Sequence, residues 1–336
     1  MTPTLLQPEG CQPCAIAGLG VYRPRRVVEN AEIAAGLGVD AQWIESRCGI
    51  RSRRFADHDE TLVMMAAHAG RAALTAAGAE ASQVDHVLLL TSSNVRQMPA
   101  LAPALAFALG ASGAGACDLN AACSGFTYGL LYASALIGAG QARHVLVVAT
   151  ERMRDLVDPG DRSTAIIFAD GAGAALVSAS QEPGIGPASW GNDGSAEQLL
   201  ILEPDFTQLD ADHPRPYMRM NGLELAHRVP DLAVGLARRT LATAGLSWKD
   251  LVAFIPHQAN RRLNDICAER LGLPAHVTVA NTVTHDGNTS AASIPLAAHH
   301  LITEQLARPG DLAMLLGYGV GLTWTAMIVR LPPISI

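Results

Sequence analysis

The sequence repeats one pattern in its two halves. Residues 70–78 and 237–245 each end in glycine and lead through a polar turn into a short apolar run. The residues that match lie 167 positions apart: Arg71 and Arg238, Leu74 and Leu241, Ala77 and Ala244, Gly78 and Gly245. This spacing is about half of the 336-residue chain. A tandem duplication of one helix-and-strand unit is the simplest explanation.

The apolar runs between the helical patterns predict the sheets. Residues 87–90, 145–149, 252–255 and 313–316 are continuously apolar, as is typical of strands buried on both faces. Each repeated helix should stop at its final glycine. The apolar faces of the sheets in two such halves must be buried against helices, which predicts a layered α/β fold. We expect an N-terminal tail at 1–14, one half at 15–184 and the other at 185–336, joined at the turn-rich Gln181–Pro187.

Composition excludes several classes of function. A net charge of −7 argues against general nucleic-acid binding, and no apolar run is long enough to span a membrane. The first residues lack the basic start and apolar stretch of a secretion signal, which predicts a cytoplasmic location. The six cysteines are then expected to be free thiols.

Three short segments carry the candidate chemistry. They are Asn120–Gly125 around Cys123, Ile255–Asn260 around His257, and Gly287–Ser293 around Asn288. A thiol, an imidazole and a carboxamide at strand or loop ends supply a nucleophile, a proton handler and a neutral hydrogen-bond donor. Cys123 precedes a helical pattern, and the unpaired N–H groups of a helix start should favour its thiolate.

Each segment also has a structural interpretation. Cys123 could be a buried structural cysteine, and Asn288 could cap a helix. Gly317, Gly319 and Gly321 follow an apolar run and could either form a hairpin or bring a backbone N–H against a reacting carbonyl oxygen. The pairs Cys11–Cys14, His285–Asp286 and His299–His300 lack the further ligands of a metal site, so we expect no metal.

Together these segments resemble the β-ketoacyl-acyl carrier protein synthase III family of thiolase-fold condensing enzymes. The resemblance runs from about Ala15 to Leu331 and includes Trp43–Arg54 and the segment that begins at Asp161. It implies a thiolase-like, five-layered αβαβα fold made of two duplicated halves, and a homodimer. It implies no cofactor, since coenzyme A would enter only as the thioester substrate.

The resemblance also implies a role for each matching residue. Cys123 would take an acyl group from acyl-coenzyme A, and the N–H groups of Cys123 and Val320 would hold the oxyanion. His257 and Asn288 would stabilise the enolate formed when malonyl-acyl carrier protein loses carbon dioxide. Coenzyme A would contact Trp43, Arg47, Arg162 and Asn260. The acyl pocket would be lined by Met153, Phe168 and Met98, of which Met98 would reach into the pocket of the partner subunit. Arg262 would contact the carrier protein.

Other functions stay open at this point. Arg96, Arg152 and Arg154 lie near the acyl-pocket positions and suggest a carboxylated acyl group as one option. The acyl group could pass to a hydroxyl or an amine instead of a malonyl unit. A papain-like hydrolase shares the order Cys, His, Asn, and a non-catalytic partner subunit is a further possibility.

Overall fold

Two five-stranded sheets form the framework of the protein. The computed structural model describes residue 5, residues 10–210 and residues 215–335. The described strands are β1 (Cys14–Tyr22), β2 (Arg26–Glu29), β3 (Ser52–Phe55), β4 (His86–Leu90), β5 (Gly115–Leu119), β6 (His144–Arg152), β7 (Asp170–Ala179), β8 (Ser189–Asn192), β9 (Leu200–Glu203), β10 (Tyr217–Met220), β11 (Ala253–Pro256), β12 (Thr278–Val279), β13 (Leu312–Gly319) and β14 (Thr323–Arg330). The described α-helices are α1 (Asn30–Leu37), α2 (Ala41–Cys48), α3 (Leu62–Ala77), α4 (Ala102–Leu109), α5 (Gly125–Gly138), α6 (Gly222–Ala244), α7 (Arg261–Leu271), α8 (Val283–Asp286) and α9 (Ser293–Thr303).

The two sheets have the same topology. The first has the order β1-β7-β6-β4-β5 and the second has the order β8-β14-β13-β11-β12. If the five strands of each sheet are numbered one to five in the order in which they occur along the chain, both sheets have the spatial order one, five, four, two, three. A chain that arose by duplication is expected to have the same strand order in both halves. The boundary that we proposed at 184/185 falls between the last strand of the first sheet and the first strand of the second.

The repeated helices end where the sequence predicts. Helix α3 is followed by Gly78 at φ 63° and α6 by Gly245 at φ 66°, both in the left-handed conformation that ends a helix. The strands after them, β4 and β11, are almost wholly buried, as expected for sheets covered on both faces.

Five layers result from the packing of helices on these sheets. Helices α5 and α9 lie between the sheets, where Leu130 and Leu301 pack with Val147 and Leu315. Helices α3 and α4 cover the outer face of the first sheet. Helices α6 and α7 cover the outer face of the second. The predicted αβαβα architecture is confirmed.

The predicted tail, residues 1–14, lies partly outside the described residues, because positions 1–4 and 6–9 are not described. Cys14, the last residue of the predicted tail, is buried and is the first residue of strand β1. Leu5 packs in the apolar cluster between the second sheet and α6.

Candidate active site

A pocket of about 800 Å³ opens between the two halves at the carboxyl ends of their strands. Parallel strands deliver the residues that follow them to one edge of a sheet, and the two halves bring these edges together. Its lining includes most of the predicted site residues: Trp43, Arg47, Cys123, Arg162, Phe168, His257, Asn260, Arg262, Asn288 and Val320.

Cys123 lies in a tight helical turn, residues 122–124, between β5 and α5. Ala122 has a φ of 46°, which is unfavourable for a residue with a β-carbon. Burial raises the pKa of the thiol to about 12, and the negative charge of Glu151 acts in the same direction. Our expectation of a favoured thiolate is therefore wrong, because desolvation outweighs the helix start.

His257 is a buried, neutral imidazole. Its backbone N–H donates to the carbonyl oxygen of Leu316 over 2.7 Å, which fixes it beside β13. Nδ1 lies 2.8 Å from the hydroxyl of Ser293, and that hydroxyl accepts the N–H of Gln258 over 3.2 Å. Ser293 donates no other hydrogen bond among the described residues, so we assign its hydroxyl proton to Nδ1 and the ring hydrogen to Nε2. Burial lowers the pKa of His257 to about 3.

Asn288 is fixed by three hydrogen bonds. Its N–H donates to the carbonyl oxygen of Ile167, and its carbonyl oxygen accepts the N–H of Ala169, each over 2.9 Å. The side-chain Oδ1 accepts the N–H of Ser290 over 2.9 Å, a contact of the local capping type. The Nδ2 group then remains as a neutral donor for a ligand.

The glycine-rich segment comes unusually close to the cysteine. A β-carbon placed on Gly319 would lie 2.9 Å from the nitrogen of Cys123 and 2.9 Å from the carbonyl oxygen of Ala121. Only glycine permits this approach. It brings the following residue, Val320, to the pocket beside Cys123. Two backbone N–H groups at one corner of a pocket can stabilise a developing oxyanion.

The mouth of the pocket carries cationic and aromatic side chains. The Arg47 guanidinium lies 5.4 Å from the centre of the Trp43 ring, within cation–π range. Arg162 donates to the carbonyl oxygen of Leu37 over 2.8 Å. Oδ1 of Asn260 accepts the N–H of Leu263 over 2.9 Å, so Asn260 caps the N-terminus of α7. Arg262 lies in the first turn of the same helix.

The structure does not bring the predicted acyl-pocket residues together. Phe168 lines the pocket, and Met153 packs with it in one buried cluster without lining the pocket. Met98 is 83% exposed and does not line the pocket. Arg152 is held by Asp155 and by the carbonyl oxygens of Asp57 and Glu60, which leaves it little capacity for an acyl carboxylate.

Sequence reasoning missed three polar residues of the site. They are Ser293 beside His257, Ser290 beside Cys123, and Glu151 near the carboxyl end of β6. The two serines belong to the Asn288 segment, and Glu151 stands out as an acidic residue just beyond the apolar run 145–149. Their partners are distant in sequence, so no local pattern indicated the contacts.

The described part of the chain contains no cluster of three or more His, Cys, Asp or Glu side chains suited to a metal ion. Across residue 5, 10–210 and 215–335, no helix combines the length and apolarity needed to cross a membrane.

Comparison with known proteins identifies the family. Residues 117–194 match the family model of 3-oxoacyl-[acyl-carrier-protein] synthase III, and residues 241–331 match the model of its C-terminal part. The chain is 41% identical to a β-ketoacyl-[acyl-carrier-protein] synthase III of Mycobacteroides abscessus, over 97% of both chains. It is 43% identical to the synthase III of Streptomyces lividans, over 94% of both chains.

The chain belongs to the β-ketoacyl-[acyl-carrier-protein] synthase III family.

Solved structures of this family superimpose closely. The priming β-ketosynthase of the R1128 polyketide pathway matches with a TM-score of 0.94 and 42% identity, over 98% of this chain and 99% of that one. The 3-oxoacyl-(acyl carrier protein) synthase III of Pseudomonas aeruginosa PAO1 matches with a TM-score of 0.88 and 37% identity, over 96% and 99%. A condensing enzyme of the synthase III family has the thiolase fold described above, so the papain-like interpretation is wrong.

Proposed function

We propose that this enzyme transfers an acyl group from acyl-coenzyme A to Cys123 and condenses it with malonyl-acyl carrier protein to give a 3-oxoacyl product. The observation that carries the proposal is the convergence of Cys123, His257 and Asn288 in one pocket whose mouth holds Trp43 and Arg47. A thiol supplies the covalent carrier, and two neutral donors suit an enolate oxygen.

Acylation comes first in this proposal. The Cys123 sulfur attacks the thioester carbonyl, and the N–H groups of Cys123 and Val320 hold the oxygen of the tetrahedral intermediate. Trp43, Arg47, Arg162 and Asn260 are proposed to hold coenzyme A, because they line the same pocket from its mouth inward. Arg262, beside them on α7, is proposed to meet the acidic carrier protein.

Decarboxylation and condensation follow. Nε2–H of His257 and Nδ2–H of Asn288 would donate to the malonyl thioester oxygen, which stabilises the enolate as carbon dioxide leaves. The enolate then attacks the acyl group on Cys123. A neutral imidazole is the suitable donor here, because a base gives no help in expelling carbon dioxide.

The acyl pocket is proposed to be completed by a second subunit. In one protomer Phe168 and Met153 form its buried wall, and Met98 is exposed. Val95 and Phe107 are also exposed, at 62% and 80%, and three apolar side chains on this region suit an interface. A homodimer in which Met98 enters the partner's pocket explains this exposure, and light scattering after size exclusion tests it. The cytoplasmic location stays a prediction.

The test is intact-protein mass spectrometry with a panel of acyl-coenzyme A esters, comparing the wild type with Cys123→Ala. A mass gain in the wild type alone, discharged by malonyl-acyl carrier protein with release of carbon dioxide, is the expected result. Equal labelling of both proteins, or of neither, contradicts the proposal and favours the non-catalytic partner subunit.

Transfer of the acyl group to a hydroxyl or an amine is the second candidate function. A substitution of Asn288 distinguishes it from decarboxylative condensation. Asn288→Ala should abolish turnover with malonyl donors if the enzyme condenses by decarboxylation. Retained turnover with a hydroxyl or amine acceptor and none with malonyl donors would favour the second candidate.

A further inference from the structure

The loop that carries Met98 has an exposed middle and a buried start. It joins β4 to α4 and comprises residues 91–101. Residues 95–100 are exposed, and the Met98 side chain is 83% exposed. Thr91 and Ser93, at the start of the loop, are buried. The contacts at the two ends of the loop therefore determine where the exposed Met98 side chain is presented.

One buried carboxylate holds the start of this loop. Glu151, near the end of β6, is completely buried. Its Oε2 accepts the hydroxyl of Ser93 over 2.6 Å and the hydroxyl of Thr91 over 3.2 Å. The N–H of Ser92 donates to both carboxylate oxygens, over 3.1 and 3.2 Å. A buried carboxylate needs such donors, so three consecutive loop residues are fixed to one side chain.

Ser93 is held from a second direction. Its hydroxyl oxygen accepts the backbone N–H of Arg152 over 2.8 Å, so this hydroxyl bridges two consecutive residues of β6. The N–H of Ser93 donates to Oγ1 of Thr91 over 3.1 Å. The hydroxyls of Thr91 and Ser93 each donate one hydrogen bond and accept another, which fixes the orientation of both side chains.

A second carboxylate holds the end of the loop. Asp118 lies on β5, on the opposite side of β4 from β6. Its two oxygens accept the N–H groups of Leu101 over 2.8 Å and Ala102 over 2.7 Å, where α4 begins. The unpaired N–H groups of a helix start favour a carboxylate at this position. The two strands that flank β4 thus hold both ends of the loop, and residues 94–100 span the gap between them.

We propose that Glu151 is a specificity-determining positioning residue that acts across the subunit interface. By fixing the start of the loop, it sets how far Met98 of one subunit enters the acyl pocket of the other. The substrate property that it controls is the length of the acyl chain. The inference rests on the proposed acyl transfer and on the proposed homodimer.

Glu151 could instead affect only the cysteine of its own subunit. The hydroxyl of Ser92 lies 3.5 Å from Oδ1 of Asn120, and that oxygen accepts the N–H of Ala122 over 3.0 Å. This path leads from the loop to the turn that carries Cys123. A change that acts along it alters the acylation rate of the same subunit for every ester. The chain-length preference of the partner subunit therefore distinguishes the two roles.

The experiment uses heterodimers that contain one reactive cysteine, made by co-expression of two differently tagged chains. In the trans heterodimer, one chain carries both Cys123→Ala and Glu151→Met, and the other chain is wild type. In the cis heterodimer, one chain carries Cys123→Ala and the other carries Glu151→Met. Methionine is a flexible side chain of similar length that offers no carboxylate oxygen to the loop. Acylation rates are measured by rapid quench and mass spectrometry for straight-chain acyl-coenzyme A esters of increasing length.

We expect the trans heterodimer to favour longer chains, because a loosely held Met98 closes the acyl pocket less tightly. The reference is a heterodimer in which Cys123→Ala is the only substitution. Relative to it, the ratio of long-chain to short-chain acylation rates should rise by about tenfold, the effect of roughly one methylene in an apolar pocket. The cis heterodimer should keep the reference ratio, even if all its rates fall. An unchanged ratio in the trans heterodimer, or a shifted ratio in the cis heterodimer, overturns the proposal.

Further variants keep the test decisive if Glu151→Met folds poorly. Ser93→Ala removes the shortest hydrogen bond to Glu151 and should shift the trans ratio in the same direction. Ser178→Ala is its matched control and should leave the ratio unchanged. Ser178 is also buried, and its hydroxyl lies 2.9 Å from Nδ1 of His144 at the opposite end of β6.

Glu151→Gln tests whether the side chain acts as an acceptor or through its charge. Glutamine keeps one acceptor oxygen, which can take the place of Oε2 and receive the hydroxyls of Thr91 and Ser93. Its trans ratio should therefore stay within a few-fold of the reference. A shift as large as that of Glu151→Met contradicts the role as acceptor.

Three negative results have different meanings. If no ester acylates the wild type, the proposed acyl transfer fails, and this inference fails with it. If the wild type is acylated as a monomer, the proposed homodimer and this inference fail, but the acyl transfer stands. If the wild-type dimer is acylated and the trans ratio is unchanged, only the role of Glu151 fails.

Discussion

The hydroxyl of Ser293 lies 2.8 Å from Nδ1 of His257 and accepts the N–H of Gln258. It donates no other hydrogen bond among the described residues, so we assign its proton to the ring nitrogen. One serine on α9 thereby sets the tautomer of a histidine that follows β11. The two residues come from elements on different layers of the second half, and their contact determines which ring nitrogen can donate to a substrate.

Removing this hydroxyl should impair the decarboxylation step more than the acylation step. In Ser293→Ala the ring can take either tautomer, and the Nε2–H donor is no longer fixed. We expect malonyl-acyl carrier protein decarboxylation to fall by about tenfold or more. Measured in parallel, Cys123 acylation should stay within a few-fold. An equal loss in both steps would contradict a tautomer-fixing role.

The pH dependence of decarboxylation should show no histidine titration near neutrality. Burial lowers the pKa of His257 from 6.5 to about 3, so the ring is neutral throughout the working range. We expect a flat rate of carbon dioxide release from about pH 5.5 to about pH 8. A fall above pH 6.5 would show that an imidazolium is the donor. The same lowered pKa costs folding stability as the pH falls below 6.5, because the unfolded chain then binds the proton first.

The thiol of Cys123 should be protonated at neutral pH and should show no thiolate absorbance. Burial raises the pKa of Cys123 to about 12. The ultraviolet absorbance difference between the wild type and Cys123→Ala should therefore show no thiolate step from about pH 6 to about pH 9. A step near neutral pH would mean that the helix start, and not burial, dominates the site.

Gly319→Ala tests the close approach that forms the proposed oxyanion corner. The new methyl group would lie 2.9 Å from the Cys123 nitrogen and from the Ala121 oxygen, so one backbone must move. We expect acylation to fall by about 100-fold, as for loss of an oxyanion donor. The matched control is Gly36→Ala in α1, where a β-carbon meets nothing within 4 Å. That variant should keep its activity and gain up to about 1 kcal/mol of stability.

Trp43→Ala tests the proposed coenzyme A contact of this pocket residue. Loss of a stacking surface for an adenine should raise KM for acyl-coenzyme A by about tenfold and leave kcat nearly unchanged. Trp190→Ala is the control, because Trp190 is 57% exposed on β8 and does not line the pocket. Equal effects of the two substitutions would argue against adenine stacking on Trp43.

The sequence by itself determined the repeat, the buried strands and the glycine helix ends. These are local properties: apolar runs form buried strands wherever they are covered, and Gly78 and Gly245 end helices through their own φ angles. The positions of Cys123 and His257 after strands were readable for the same reason, whereas Asn288 lies in the loop that follows helix α8. The five layers followed from the resemblance, whereas the strand order was established by the structure alone.

Only the tertiary structure decided the protonation of the site and its second set of polar residues. The cysteine's position before a helix predicts a thiolate, but burial reverses the balance, and burial is set by surrounding side chains from both halves. Ser93 meets Glu151 only after β4 and β6 are packed together, and Ser293 meets His257 only after β11 and the Asn288 segment are packed together. Charge and hydrogen bonding act across space, so residues far apart in the chain fixed what the local sequence could not.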